Sequence, residues 1–539
     1  VKHWFLIADG PGYTGFLTDF NTTFWSGALR VAEAMVAAAP FLVAGVFAAG
    51  ILRGMVGADR TRKILGVGHW TGPFRAWALG ILLPICSLGA LPVARELRRA
   101  GVPSGTVLSF VLVAPVLNPV SIIYGLSHIT PIMLVYFGVG TFVVSVGIGL
   151  IWNRVIADNQ DVEPEQIERA PRDSVNRLLV VGDTAARGLV GPVFIDYGLA
   201  LLAVGFLGAF LPHGILQTGL TRDNALAPII MGLVAIPVYV TPTEVMMHFG
   251  HIVQDGYSLG AAFALILLGA GANVGVANWL RRDYGLKPLM LFVSLLIGST
   301  LVIGITADRT LIHGNATTTD HTHAFDPFTR LANVESAQAN LVWVIKKVSK
   351  TIRTDEAYGL GLLLIIIFAG LILKISGKRL SVEHLLEDQQ DESEESNELT
   401  NPKWDPALTP AQLVVAGACC VISLAIVGLY LFYPSSDSLF DDMNTIRTYV
   451  YDSVKQEDVT ETKRRLNQWR THAGKLSTSV LIRTGSVSAK RRECVDEVLY
   501  SLDTLENHVA SGKFQEAKSL LVYVDKVYRQ CRSEFKNNP

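Results

Sequence analysis

A lone thiol stands in a broken setting at Pro84-Ile85-Cys86-Ser87-Leu88-Gly89-Ala90-Leu91-Pro92. A cysteine is a soft ligand suited to thiophilic metals and metalloids, and it is equally at home as a small buried hydrophobe. The Ser87 hydroxyl can hydrogen-bond a solute or cap a carbonyl freed where a helix is interrupted. A second proline-rich stretch, from Pro237 through Tyr239 and Thr241 to Glu244, offers two hydroxyls and a carboxylate. Asn118 and Asn273 bring amides into apolar runs. There each can satisfy exposed backbone across a helix interface and line a pathway as a consequence. Pro84, Cys86, Ser87, Pro92, Asn118, Pro237, Tyr239, Thr241 and Asn273 are therefore the candidate solute pathway. Glu244, Asp196 and Glu33 are carboxylates in or near apolar runs. Such groups are costly in lipid and are the candidates for carrying a proton.

Other chemistry finds little support. His313, Asp320, His321, His323 and Asp326 are metal-ligand types, but their spacing matches no standard site, and a solvated loop is the reading. No Gly-x4-Gly-Lys-Ser/Thr or His-Glu-x2-His element occurs. No catalytic residue, metal or cofactor is assigned.

The elements that position these residues follow from composition. Of 539 residues, 50% are hydrophobic and 17% charged, where a soluble domain carries about a quarter charged residues. Mean hydropathy is +0.37. With 46 basic and 47 acidic residues the net charge is −1, which gives no basic face for nucleic acid. Five cysteines in so long a chain exclude a disulfide-stapled mini-protein. An all-α polytopic membrane protein remains. About 20 apolar residues span a bilayer. Charge-free runs cover 34–52, 76–94 and 100–153, the last long enough for two spans with a break near 127–131. Others cover 188–221 (with Asp196 alone), 224–243, 256–280, 288–307, 357–373 and 406–436.

Basic residues favour the cytoplasmic side of short loops. Arg53, Arg60, Arg62 and Lys63 precede the 76–94 run, and Arg95, Arg98 and Arg99 follow it. A full crossing would put these clusters on opposite sides, so the segment reads as a re-entrant hairpin, interrupted by Gly80, Pro84, Gly89 and Pro92. The 224–243 run, with Pro228, Gly232, Pro237 and Pro242, reads the same way. An internal repeat supports the pairing: Gly101-x3-Gly105-x12-Asn118 recurs as Gly256-x3-Gly260-x12-Asn273. Inverted repeats with interrupted helices meeting at mid-membrane are the usual plan of secondary transporters. The freed backbone groups are tolerated only in protein or along a cavity.

The stretch from Pro84 to Pro92, followed by Gly101, Gly105, Phe110, Pro115, Asn118 and Pro119, resembles the family of predicted permeases that includes the organoarsenical efflux permeases. Ile236 to Tyr239, with Gly256, Gly260 and Asn273, is similar to that family's second repeat. The resemblance covers about 27–307. It implies an integral permease of the plasma membrane and, for some members, export of trivalent arsenicals through membrane cysteines. Leu88 stands where the common Cys-Ser-Cys-Gly form has its second cysteine, so this chain has no chelating thiol pair at that spot.

The full partition is an external N-terminal segment (1–26), a first permease repeat (27–153), a cytoplasmic linker (154–187) and a second repeat (188–307). There follow an external loop (308–356), an additional span (357–376), an acidic disordered linker (377–405), a final span (406–436) and an external helical bundle (437–539). In the bundle, Asp458-x2-Glu461 reads as a capping box. Gly512 separates two antiparallel helices on which Cys494 and Cys531 lie level, a candidate disulfide. Cys419 and Cys420 read as packing within the final span. The leading function is alternating-access movement of a small solute, a metalloid or organometalloid species among the classes, outward and coupled to protons. Two other classes fit the sequence: a membrane-anchored sensory or assembly protein acting through 437–539, and a membrane-embedded thiol-dependent enzyme. The expected partners are the bilayer and a small-molecule or metalloid solute, with no nucleic acid, and 437–539 is the surface for a second copy or another protein.

Overall fold

The computed structural model describes residues 20–65, 70–156, 174–212, 214–271, 273–311, 325, 328, 329, 340–375 and 433–536, with scattered positions between 415 and 432. The His/Asp cluster between 313 and 326, the acidic linker, Cys420 and residues 1–19 lie outside the described residues. The described chain is helical and forms two compact units, one over 20–419 and one over 422–536.

In the larger unit α1 (Phe20–Ile51) runs into a π turn (Leu52–Val56) and is followed by α2 (Ala58–Leu65), α3 (Gly72–Leu82) and α4 (Ser87–Arg99). Next come α5 (Ser104–Val113), α6 (Pro119–His128), α7 (Pro131–Val155), α8 (Ser174–Gly188), α9 (Pro192–Phe210) and the short α10 (Ile215–Gly219). α11 (Ala227–Ala235), α12 (Pro242–Gln254), α13 (Leu259–Ala264, continued by a π turn to Ala270), α14 (Val274–Tyr284) and α15 (Leu286–Thr310) complete the region of the apparent repeats. α16 (Leu341–Thr351) and α17 (Thr354–Ile375) follow. Among the described residues, five helices are long and apolar enough to cross a membrane: 22–56, α7, α9, α15 and α17. A sixth crossing arises if α13 with its π turn and α14, which meet at 50°, form one bent span.

Proline sets many of these boundaries. Pro73, Pro119, Pro131, Pro192, Pro228 and Pro242 all stand in the first turn of a helix, where the missing N–H costs nothing and the fixed φ favours entry. The 100–153 run was expected to break only near 127–131. It breaks a second time at Ala114–Asn118, because Pro115 and Pro119 each remove a helix donor and Asn118 caps the new start. Part of the segment read as linker is helix: α8 buries Val180, Val181, Ala185 and Ala186 and packs on α1. Likewise α16 lies inside the stretch read as external loop.

α1 is the hub, packed against α4, α8, α9 and α17. Small residues let these backbones meet: a Cβ on Gly27 of α1 would sit 2.7 Å from the Gly205 carbonyl of α9, and one on Gly359 of α17 would sit 2.7 Å from Pro40 of α1.

The smaller unit is a bundle of α18 (Ser436–Lys455), α19 (Val459–Thr484), α20 (Ala489–Ala510) and α21 (Phe514–Lys536). Leu439, Met443, Leu466, Trp469, Leu502 and Tyr528 fill its core. Asp458 caps α19 by accepting from Glu461 N at 2.9 Å. The Glu461 carboxylate turns to Arg464 and Arg465, at 2.8 and 2.7 Å. Gly512 makes the turn between α20 and α21 at φ +71°, and Cys494 and Cys531 are joined by a disulfide, with Cα atoms 5.2 Å apart.

Candidate functional site

The site begins where α3 stops. Leu83 to Cys86 are non-helical, and Cys86 opens α4 by accepting from Gly89 N at 3.3 Å. The interruption frees the Ile85 carbonyl, and Asn118 Nδ2 donates to it at 3.2 Å and to Ala114 O at 2.9 Å. Asn118 Oδ1 meanwhile accepts from Val120 N and Ser121 N, capping α6. Every polar atom of this amide is therefore spent on backbone, and the residue repairs two breaks at once. Cys86, Ser87 and Asn118 are fully buried.

A second interruption runs from Ile236 to Thr241. Thr241 caps α12: it donates from Oγ1 to Glu244 Oε2 at 2.7 Å and from its backbone N at 3.0 Å, while Glu244 N donates back to Oγ1 at 3.4 Å. The third lies before α14, which Asn273 caps through Gly275 N and Val276 N. The spare Asn273 amide donates to Ser87 Oγ at 2.6 Å. Elements distant in sequence thus converge on one place. The Tyr239 hydroxyl faces the Cys86 thiol, and Tyr197 of α9 is also within electrostatic reach of that sulfur. The Tyr239 hydroxyl interacts with the Cys86 sulfur, while the buried Tyr197 hydroxyl has no hydrogen-bond partner among the described residues. An unanswered buried phenol is a group whose desolvation a ligand would offset. Tyr197 was not singled out from the sequence; nothing local to α9 marks it.

The carboxylates divide. Asp196 is fully buried and accepts from both terminal nitrogens of Arg282, at 3.2 and 3.1 Å, and from Asn278 at 2.8 Å. Such a bidentate clamp fixes the carboxylate in place. Glu33 pairs with Arg30 at 2.9 Å. Glu244 is half-buried in its cap, with Glu33 and Glu356 in its electrostatic surroundings. Near Asp196, Arg98 of α4 pairs with Asp283 of α14 at 2.8 Å and lies 4.6 Å over the Tyr284 ring.

One set of contacts occurs twice. Gly105 N donates to Asn153 Oδ1 at 2.8 Å, and Gly105 packs on Gly149 with Pro73 alongside. Gly260 N donates to Asp308 Oδ1 at 2.9 Å, and Gly260 packs on Gly304 with Pro228 alongside. Each member of the second set follows its counterpart by one constant offset, the same that separates Gly101 from Gly256 and Asn118 from Asn273. Sequence reading missed Asn153, Asp308, Gly149 and Gly304; carrying the Gly101/Gly256 offset onward would have found them.

This region coincides with a family match. Residues 25–308 fit the model of the ArsP_1 family, described as predicted permease. The chain belongs to that family. It is also 25% identical over 281 residues to the UPF0718 protein YcgR of Bacillus subtilis (strain 168), covering 50% of this chain and 94% of that one. No solved structure matches. The permease assignment and the apolar helices make this a multi-pass membrane protein of the transporter class. The permease match ends before α16, α17 and the helical bundle, so the convergence at Cys86 lies wholly within the family's own segment. Among the described residues of the permease, no group of three or more His, Cys, Asp or Glu side chains is placed to hold a metal ion.

Proposed function

We propose that this permease moves a small solute by alternating access, holding it between two re-entrant segments of an inverted repeat, at Cys86, Ser87, Tyr239 and Asn273. The observation that carries the reading is the meeting of the interruptions, Asn273 on Ser87 and Tyr239 beside Cys86.

The direction of the helices supports re-entrance. Pro73, at the start of α3, lies beside Gly149, which packs on Gly105 at the start of α5; Gly80, near the end of α3, meets Val113 at the end of α5. α3 and α5 therefore run the same way. Between them α4 returns, ending at the Gly101 turn, where Arg62 of α2 lies close to Gly101. In the second half Pro228 meets Gly260, and the Ala235 carbonyl lies near Gly269, so α11 runs with α13 while α12 returns. α7 and α15 are antiparallel: Tyr136 donates to Ile303 O at 3.1 Å, and Trp152 meets Tyr284 edge to face just before α15. Gly149 and Gly304 mark the two turns, each near the end of its helix. The two hairpins then open to opposite faces, as an inverted repeat requires.

A soft thiol with two phenols suits a thiophilic or organometalloid solute with apolar substituents. The clamp on Asp196 and the Arg30 pair on Glu33 leave Glu244 as the carboxylate best suited to exchange a proton. The arginines near Gly101 favour the cytoplasmic side; efflux across the plasma membrane is the direction we propose, from the family resemblance. The same topology puts the disulfide-bonded bundle outside, in an oxidising compartment, available to a second copy or another protein. The test is a resistance and accumulation screen with arsenicals, divalent metals and organic solutes in cells lacking their own exporters. Lowered accumulation of one solute, changed by Cys86→Ser and retained without 436–539, is the expected result. Impermeant labelling that put Arg62→Cys and Arg98→Cys on opposite faces would overturn the reading.

A further inference from the structure

We propose that Arg98 of α4 and Asp283 of α14 form a gate on the cytoplasmic side of the thiol site; this rests on the alternating-access reading above. α4 and α14 start together: Asn273 donates to Ser87, and a Cβ on Gly275 would sit 2.8 Å from Leu88. Each helix then runs about 15 Å before the two are joined again, where Arg98 donates to Asp283 at 2.8 Å. The helices are therefore pinned at both ends, and one comes from each half of the permease. A solute leaving between them toward the Gly101 turn must part Arg98 from Asp283.

The contact suits repeated making and breaking. The two side chains are 23% and 21% exposed, so water can take over their charges at small cost. Closure has a fixed seat, because Arg98 lies 4.6 Å over the Tyr284 ring, which Trp152 of α7 meets edge to face. The neighbouring charges do not replace the pair. Arg282 donates to Asp283 at 3.3 Å from the same helix, and its clamp on Asp196 ties α14 to α9 within the second half. Arg95 of α4 faces both Asp283 and Arg282, so attraction and repulsion oppose each other there. A second observation comes from the doubled contacts. At the offset that relates Gly105 to Gly260, Arg98 corresponds to Val253 and Asp283 to His128. A valine forms no ion pair, and α6 packs on α12 instead, with Met246 near Gly125. The two halves thus share a scaffold and differ at this contact, ionic toward one face and apolar toward the other.

Alkylation of Cys86 tests the gate, because that thiol is fully buried and reacts only when the site opens. The full chain carries Cys419→Ser and Cys420→Ser, and a membrane-impermeant maleimide is added to inside-out or right-side-out vesicles. Arg98→Ala and Asp283→Asn should each raise the cytoplasmic rate about tenfold, the worth of one charge-assisted hydrogen bond, with the external rate no higher. The exchange of Arg98→Asp with Asp283→Arg should restore most of the slow rate. Unchanged cytoplasmic labelling in both single variants, or an equal rise from both faces, overturns the proposal. Asp283→Asn and the exchange decide it if Arg98→Ala does not fold. The readout needs no solute: a failed solute screen beside this labelling pattern leaves the gate standing, and transport with unaltered labelling in the variants sinks the gate alone.

Discussion

Asn273 donates a 2.6 Å hydrogen bond to Ser87, joining the cap of α14 to the first residue of α4. The bond ties the two halves of the permease together at full burial. Asn273→Ala should cost more than Ser87→Ala, because it also uncaps Gly275 and Val276, worth about 1 kcal/mol. A double-mutant cycle on thermal unfolding in detergent should return a coupling of about 0.6 kcal/mol. Full additivity would mean that the contact does not form.

The doubled glycine contact makes a paired prediction. An alanine at Gly260 would place its Cβ 2.7 Å from the Gly304 carbonyl, and Gly105 is held against Gly149 in the same way. Each substitution should destabilise by about 2 kcal/mol or more and reduce monodisperse protein on fluorescence-detected size exclusion. Gly147→Ala, with nothing within 4 Å of the new methyl, should be neutral.

Removing the two phenol hydroxyls should separate stability from transport. Tyr197→Phe deletes a group that makes no hydrogen bond among the described residues, and Tyr239→Phe gives up only its interaction with Cys86, so melting should change little. If those hydroxyls serve the solute, transport should fall about tenfold for each, the worth of one hydrogen bond to a ligand. Unchanged transport in both variants would remove them from the site.

The bundle should respond to acid through Glu461. Burial pushes its carboxyl up, but hydrogen bonds and charge from Arg464 and Arg465 outweigh it and hold the group below the usual carboxylate value. A depressed folded-state value means that this stabilisation is complete above the ordinary glutamate pKa, about 4.3. It is lost as pH falls through the lower folded value. Glu461→Gln should flatten that part of the acid limb of the melting curve, leaving the neutral region parallel to the parent.

Reduction supplies the last prediction. The Cys494–Cys531 bond closes a separation of 37 residues, which chain entropy values at about 4 kcal/mol. Reductant or Cys494→Ser should lower the bundle's unfolding transition by that order while the permease transition stays put.

Much of the architecture is written locally. Apolar runs give α7, α9, α15 and α17 because length and hydropathy suffice to fill a bilayer. Pro73, Pro119 and Pro242 start helices through a constraint that each carries in its own ring. Thr241 and Asn273 are legible as caps because an N-cap bonds residues only two or three positions away. What the sequence left open is partnership across distance. Nothing near Asp196 announces Arg282, nothing near Cys86 announces Tyr197, and the chain before α15 does not say that Asp308 will meet Gly260. In an apolar slab each buried polar group must find whichever partner the packing brings within about 3 Å. That choice belongs to helix direction and register, and only the tertiary structure fixes those.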